Sequence, residues 1–562
     1  MPESPSTSPV PPAHPAEGAP VSVPAAAPQE IELKLAVDPR HLGRLKTAPV
    51  LAGPRAVTKT LRNTYFDTPG GDLAARGISL RLRHSGPQGA GKVVQTLKGP
   101  SAGGGMALAR SEWEIPAPDG HLVPQAFTDA AAQALLDGVD LRRLGPVFSN
   151  EVKRWTRTLP LAAGLAVDVA VDQGVTRAAD GREEPIAELE LELAAGQDRR
   201  VLYDLALALH RAVPLRLELR TKAERGYALA QGEAAAPKAV KAGPLNFHPD
   251  DTVEAALAGV ARACLHHMAA NEGAVLAGDP SGVHQMRVAV RRLRSALTLF
   301  KAILPEAQAA TLKVALKGLA DAVGPARSWD VFLDELLAPV TTAMPEQESL
   351  RALAVAAQGA RGRGHTAARA AVSGPGYTEL LLTLGRWVDG RCWRDDAPAD
   401  RLAWLGQPLL PFADAVLTRQ RHRAAKRSRH FARLDAPARH GLRIAMKKLR
   451  YAVDFFRELY PQKAVRKYLE RLSGLQDGLG HLNDVATMDA LIRELRADLA
   501  AAKDVSPTGG DMAGWDMGAG LVLGWHAAHM AVGEEALCRA VDDFLDADPF
   551  WTPVDHWPHP PS

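Results

Sequence analysis

Glu30-Ile31-Glu32-Leu33-Lys34 decides how the first half of this chain folds. In extended backbone, successive side chains point to opposite sides, so Glu30, Glu32 and Lys34 share one face while Ile31 and Leu33 share the other. The period of two recurs in Ile78–Arg83, where Arg81 and Arg83 flank Leu82, in Val93–Lys98, and in Arg110–Ile115, where Arg110, Glu112 and Glu114 alternate with Ser111, Trp113 and Ile115. It recurs again in Leu165–Val171, where Asp168 and the following Asp172 share one face, and in Ile186–Leu193, where Glu188, Glu190 and Glu192 alternate with leucines. Gly and Pro stretches at 86–91 and 99–105 read as hairpin connections. One such strand alone fits an open sheet with a charged face in water. Several together predict a closed sheet whose apolar face packs outward on helices and whose charged face lines a lumen.

A lumen of that kind sets its own chemistry. Clustered carboxylates raise one another's pKa unless a cation sits among them, and oxygen-only ligation by Glu and Asp favours Mg²⁺ or Mn²⁺ over zinc. Clustered Arg and Lys need an anion, and phosphate oxygens match the guanidinium fork. A metal-bound polyphosphate satisfies both sets.

The rest of the chain divides around this region. Its 562 residues, 46% of them hydrophobic, make two to four units at about 150 residues each. The formal charge is only +3, so any polyanion binding must come from local clustering. Residues 1–28 hold nine prolines and no Lys or Arg, a composition that predicts a disordered tail. Strand-period text runs over 29–234 and a linker over 235–248. Helical period with Ala, Leu and Arg follows over 249–548, and 549–562 is a short tail. Three well-separated cysteines, Cys264, Cys392 and Cys538, argue against a disulfide scaffold and fit a reducing cytoplasm. The first Lys or Arg is Lys34 and no long apolar run occurs, so neither a secretory signal nor a membrane span is expected.

The strand motifs carry a family resemblance. Glu30-Ile31-Glu32-Leu33-Lys34 resembles the E-x-E-x-K signature of the CYTH domain, the triphosphate tunnel metalloenzymes. Tyr65-Phe66-Asp67-Thr68, Leu80–Arg83, Gln95–Lys98, Arg110–Glu114, Glu188–Glu192 and Lys222–Tyr227 resemble its later motifs in order. The resemblance implies an eight-stranded antiparallel tunnel that hydrolyses a triphosphate with a divalent metal. It makes Glu30, Glu32, Glu188 and Glu190 metal ligands, and Lys34, Arg81, Arg83, Lys98, Arg110, Arg154 and Lys222 holders of phosphate oxygens. Glu30, Glu32 and Lys34 form the catalytic set. Lys153 and Arg157 stand as alternatives to Arg154, and Glu192 is either a ligand or a partner for a lumen arginine. Gly86–Val93 has the glycine and lysine spacing of a P-loop, but Val93 replaces the metal-holding hydroxyl and a strand follows, so a hairpin loop is the better reading.

The helical region contains a duplication. His284–Arg294 matches His440–Arg450 at a constant offset, with five identities in eleven positions. In each copy a His, an Arg, a third base and a final Arg share one helix face, and the opposite stripe is apolar at 286, 290, 293 and 297 or 442, 446, 449 and 453. Arg419–His430 adds five arginines and a lysine without an acid, and Arg466, Lys467 and Arg471 follow. Rows of bases repeated at each helical turn suit a linear polyanion.

These two helices, with Gly324–Val331 and Leu475–Val485 after them, resemble the CHAD domain, a duplicated helical bundle that often follows CYTH. The resemblance implies binding of inorganic polyphosphate by His284, Arg287, Arg291, Arg294, His440, Arg443, Lys447 and Arg450, with association to polyphosphate granules. In the first copy Ser328 stands where an acid commonly follows Arg327, which leaves Asp330 to orient the helix alone. Histidines lying among cations are poor metal ligands, and His266 and His267 read as surface and packing residues. Nucleic acid is disfavoured as a partner, since aromatics for base stacking make up only 5% of the chain.

The fold expected is therefore α+β and multidomain: an eight-stranded antiparallel tunnel with flanking helices, then an all-α duplicated bundle. The function expected is an inorganic triphosphatase, yielding pyrophosphate and phosphate, joined to a polyphosphate-binding module. Thiamine triphosphatase, adenylate cyclase and a non-catalytic polyphosphate scaffold are the alternatives.

Overall fold

The computed structural model describes residues 29–86, 91–100, 105–161, 164–194, 196–232, 237–503 and 512–554. The side chains of residues 29, 30, 499–503 and 512–514 lie outside the description, as does the expected tail at 1–28.

The strands are β1 (Gln29–Val37), β2 (Val57–Asp67), β3 (Ser79–Ser85), β4 (Lys92–Lys98), β5 (Leu108–Pro116), β6 (Gly145–Pro160), β7 (Ala166–Ala178), β8 (Glu183–Ala194) and β9 (Leu215–Leu217). Eight of them run in the order β5-β4-β3-β2-β6-β7-β8-β1, and β1 pairs back to β5, so the sheet closes; β9 extends the β1 edge. Every pairing is antiparallel. Alternation in the sequence does not mark the long strands β2 and β6, because their lumen face mixes Leu61, Asn63, Tyr65, Val152 and Arg154 and so breaks a simple polar–apolar pattern.

Closure places the alternation as expected. Ile31, Leu33 and Leu35 of β1, Val167, Val169 and Val171 of β7, and Leu189, Leu191 and Leu193 of β8 are buried outside the barrel, in one apolar cluster with Leu202, Leu205 and Leu209 of the helix Arg200–Ala212. The same cluster continues into the helical half. The two halves are also joined by polar contacts: Arg386 to Asp204 at 2.6 Å, Arg200 to Asp395 at 2.9 Å, and Arg216 of β9 to Glu272 at 2.8 Å. Tyr203 donates to Asp389, which also receives Arg262 at 2.9 Å.

One end of the barrel is stopped by the helix Lys222–Ala230. Thr221 caps it, and a reciprocal bond with Glu224 completes a capping box. Gly226 lets this helix sit flush on the barrel, because a Cβ there would run into the Phe148 ring. Gly226→Val is therefore expected to lower stability by about 2 kcal/mol or more by lifting this helix from the barrel; a melting curve checks it.

The helical half packs the apolar stripes of its repeated helices as the sequence predicts. Met286, Val290, Leu293 and Leu297 of Pro280–Leu299, and Leu442, Met446, Leu449 and Val453 of Ala436–Phe456, are all buried. His267 is buried and its Nε2 lies 2.9 Å from the Val240 carbonyl, so it ties the segment between the halves to the bundle; His266 is exposed. Asp330 is fully buried and accepts from Arg361 at 2.8 Å and pairs with His365 at 2.9 Å. It orients the helix Glu348–Ser373. Arg419, Arg421 and Arg427, read in the sequence as part of a basic face, donate to the carbonyls of Leu299, of Leu545 and Ala547, and of Gly441. Phe550 and Trp551 pack on the bundle, with the Trp551 indole donating to Thr418 at 2.9 Å.

Candidate functional site

The barrel encloses a cavity of about 320 Å³ lined by seven bases and six carboxylates, with Leu61, Val152 and Ala223 as its apolar lining. Each of the eight barrel strands contributes to its wall, β2 through Leu61, Asn63 and Tyr65. β1 supplies Glu32 and Lys34, β3 Arg81 and Arg83, β4 Lys98, β5 Arg110, Glu112 and Glu114, β6 Arg154, β7 Asp172, and β8 Glu190 and Glu192. Lys222 enters from the stopper helix. Glu188 is buried just behind them, beside Lys222. Glu30 pairs through its backbone with Arg110 and Ala194, and its side chain lies outside the description. The other tunnel residues expected from sequence line this one space, save Glu188, which backs it through Lys34 and Lys222.

Parity separates Arg154 from its alternatives. Arg154 points inward and is held by Asp172 at 2.6 and 2.8 Å and by Glu190. Lys153 is exposed, and Arg157 lies over Trp155 and donates to the Leu51 carbonyl. Asp172 is fully buried in the acid set. The sequence shows its face but gives no reason to rank it above Asp168, which is exposed.

The inner acids and bases form one network. Lys34 Nζ lies 2.9 Å from Glu190, 3.1 Å from Glu32 and 4.0 Å from Glu188. Lys222 Nζ lies 2.7 Å from both Asp172 and Glu190 and also contacts Glu188, which Arg225 holds from outside. Burial alone would discharge these groups. For Lys34 it is overcome by Glu190, Glu32 and Glu188, which hold the ammonium well above its usual range. For Glu190 it is overcome by Lys222, Lys34 and Arg154, which hold the carboxyl well below. Asp172 is held down against burial by Lys222 and Arg154. Glu32 goes the other way: burial and then Glu190 push its carboxyl up, against Lys34. The Tyr65 phenol, also in the lumen, is drawn down against burial by Arg81, 3.3 Å away, and by Lys222.

Two acid triads have oxygens mutually within 4.8 Å: Glu32, Glu190 and Glu192, and Asp172, Glu188 and Glu190. A hard divalent cation fits this set, since all donors are carboxylate oxygens. Towards β5, Lys98 lies 2.7 Å from Glu112, and the arginine pairs are looser: Arg81 to Glu112 at 3.6 Å, Arg83 to Glu114 at 3.5 Å, and Arg110 to Glu224 at 4.0 Å. Arg81 Nε is buried without a hydrogen-bond partner among the described residues, a donor placed for an anion.

The helical half holds a second cluster. Burial, then Arg327, Arg291, Arg287 and Lys447, push His284 down to about 4, so its imidazole is neutral at pH 7. Burial, then Arg291 and Arg327, lower Arg287 to about 10. Burial, then Arg443 and Arg291, lower Lys447 to about 8. Residues of both repeats thus crowd one another, and Arg287 Nε and Arg443 Nε are buried without described hydrogen-bond partners. At the margins His440 bonds Asn483 at 2.8 Å, Arg443 lies 4.0 Å from Asp484, and Arg450 contacts Asp454 and Ser473. Arg294 is half-buried on the same helix as Arg291.

Comparison with known proteins agrees with this geometry. Residues 28–227 match the family model of the CYTH domain, and residues 259–493 match that of the CHAD domain. An uncharacterized protein of Mycobacterium tuberculosis is 28% identical over 483 residues, covering 81% of this chain and 86% of that one. The crystal structure of the CHAD domain from Ricinus communis is 30% identical, with a TM-score of 0.46, covering 56% of this chain and 99% of that one. A Hippeastrum protein, described as an adenylyl cyclase candidate with a dominant triphosphatase activity, is 18% identical with a TM-score of 0.28, covering 37% of this chain and 98% of that one. The chain is thus a CYTH tunnel domain followed by a CHAD helical domain.

Proposed function

We propose that the tunnel hydrolyses inorganic triphosphate to pyrophosphate and phosphate with Mg²⁺ or Mn²⁺, and that the helical half binds linear polyphosphate. The observation that carries this reading is the single narrow cavity in which seven bases and six carboxylates interleave, with three aliphatic side chains as its apolar lining. Such a space suits phosphates and a cation better than the thiamine or adenosine that the related activities would require.

In this reading Glu30, Glu32, Glu188 and Glu190, joined by Asp172 and Glu192, hold the cation. Bound there, it supplies Lewis-acid charge at the phosphate oxygens. Lys34, Lys222 and Arg154, kept charged by the acids around them, donate to the chain beside the cation, and Arg81, Arg83, Lys98 and Arg110 donate to it from β3, β4 and β5. These donors are fixed before substrate arrives, so they stabilise charge as the bond between the terminal phosphoryl group and pyrophosphate breaks and a water oxygen takes its place. Tyr65 lines the same lumen and its hydroxyl accepts from Arg81 at 3.3 Å, which fixes that guanidinium against the cavity. A cytoplasmic setting belongs to this proposal, on the strength of three scattered cysteines.

A phosphate-release panel tests it: tripolyphosphate, ATP and thiamine triphosphate, each with Mg²⁺, Mn²⁺ or chelator. Metal-dependent turnover highest on tripolyphosphate is expected; preference for thiamine triphosphate transfers the assignment to thiamine triphosphatase, and cyclic AMP with pyrophosphate formed from ATP, without phosphate release, transfers it to adenylate cyclase. Polyphosphate binding with no turnover of any substrate leaves a scaffold.

A further inference from the structure

We propose that Glu114, at the open mouth of the tunnel, limits the length of phosphate chain the site accepts; this rests on the triphosphatase reading above. The helix Lys222–Ala230 covers one end of the barrel and contributes Lys222 and Ala223, with its cap Thr221, to the cavity wall, so we take entry to be at the end where the lining is exposed. Glu114 is the one exposed residue of the cavity lining, its side chain 39% accessible, against 1% at Glu188 and 4% at Lys34 beside Lys222. A linear substrate that enters by this mouth and is longer than the lumen must leave its remaining phosphoryl groups beside the rim formed by β3, β4 and β5.

That rim ends in an acid. Arg83 is the outermost base of β3 in the cavity, and its Nη1 lies 3.5 Å from Glu114 Oε2. The pair is held in place: Arg83 Nε donates to Asn63 at 3.2 Å, and the Thr96 hydroxyl lies 3.5 Å from the same Glu114 oxygen. Glu114 belongs to neither acid triad, so cation holding does not explain a carboxylate here. Its effect on a phosphate tunnel is repulsive: it offsets Arg83 for any phosphoryl group outside and opposes that group's charge in a partly screened setting. A chain that ends within the lumen escapes most of this cost, whereas each longer chain meets it. Specificity by a misplaced charge is the expected device where added phosphoryl groups are chemically identical to accepted ones.

The test compares full-length wild type, Glu114→Gln and Glu114→Lys in phosphate release from tripolyphosphate and from linear polyphosphates of defined greater length, with Mg²⁺. In the wild type kcat/KM should fall with chain length. The ratio of long-chain to tripolyphosphate kcat/KM should rise about fivefold in Glu114→Gln and about tenfold or more in Glu114→Lys. Equal use of all lengths by the wild type, or a ratio unmoved in both variants with melting temperatures retained, overturns the proposal. Absence of wild-type turnover on tripolyphosphate fells the triphosphatase reading itself, which is a separate and recognisable outcome.

Discussion

Glu190→Gln is expected to stop phosphate release almost entirely, lowering kcat/KM for tripolyphosphate by about 1,000-fold or more. Glu190 is the acid common to both carboxylate triads, and it contacts Lys34, Lys222 and Arg154. Losing its charge weakens cation holding and frees three buried bases at once. The same imbalance should cost about 3 kcal/mol of stability, since a buried charge is expensive when its partner is removed. Activity must therefore be read well below the variant's melting temperature. Binding of long polyphosphate by the helical half should persist, which separates a lost active site from a misfolded chain. Glu30→Gln and Glu32→Gln should act in the same direction, and turnover within tenfold of wild type in all three would end the catalytic assignment. Glu32 also predicts the acid limb of the pH–rate profile. Its carboxyl is raised, and only the ionised form holds a cation, so activity should fall earlier on acidification than for an ordinary Glu; raising the metal concentration should move that limb to lower pH.

Arg291→Gln should weaken polyphosphate binding by about tenfold or more while raising the melting temperature. Arg291 presses on His284, Arg287, Arg443 and Lys447, so removing its charge relieves repulsion carried by both repeats. A merely structural arginine would show the opposite stability change. The variant should also show a shallower dependence of log affinity on log salt, by about one unit for each phosphate it no longer neutralises. In the wild type, affinity should decline as pH rises through about 8. Lys447 is charged below that value and loses its proton above it, and a bound polyanion favours the charged form. Proton uptake on binding near pH 8, seen by calorimetry in two buffers, is the direct check. A pH-independent affinity between about 7 and 9 would remove Lys447 from the polyphosphate site.

Much of this architecture is local in origin. The acids and bases of Glu30–Lys34, Arg81–Arg83, Arg110–Glu114 and Glu188–Glu192 occupy one face because a strand alternates, whatever its partners are. The apolar stripes of 286–297 and 442–453 follow from the helical period in the same way. The segments expected in β7 and β8 are shorter than the strands Ala166–Ala178 and Glu183–Ala194, since both strands continue into polar sequence paired with neighbours. Tyr203, whose hydroxyl bridges Ala107 and Asp389, carries no signal in the sequence, because its partners are 96 and 186 residues away.

The sequence by itself determined which face each strand and helix would hide, because side-chain direction depends only on the backbone period. Tertiary structure alone decided which charges meet. Asp172 joins Glu188 and Glu190 because β7 pairs with β8 in one register, while Arg154 rather than Lys153 or Arg157 looks inward because β6 is seated on β2 and β7 with that parity. Lys222 reaches the acids only because Gly226 lets its helix close on Phe148, and the two basic helices crowd only because the bundle folds back on itself. Distances between side chains far apart in the chain are set by closure and register, and no local pattern encodes them.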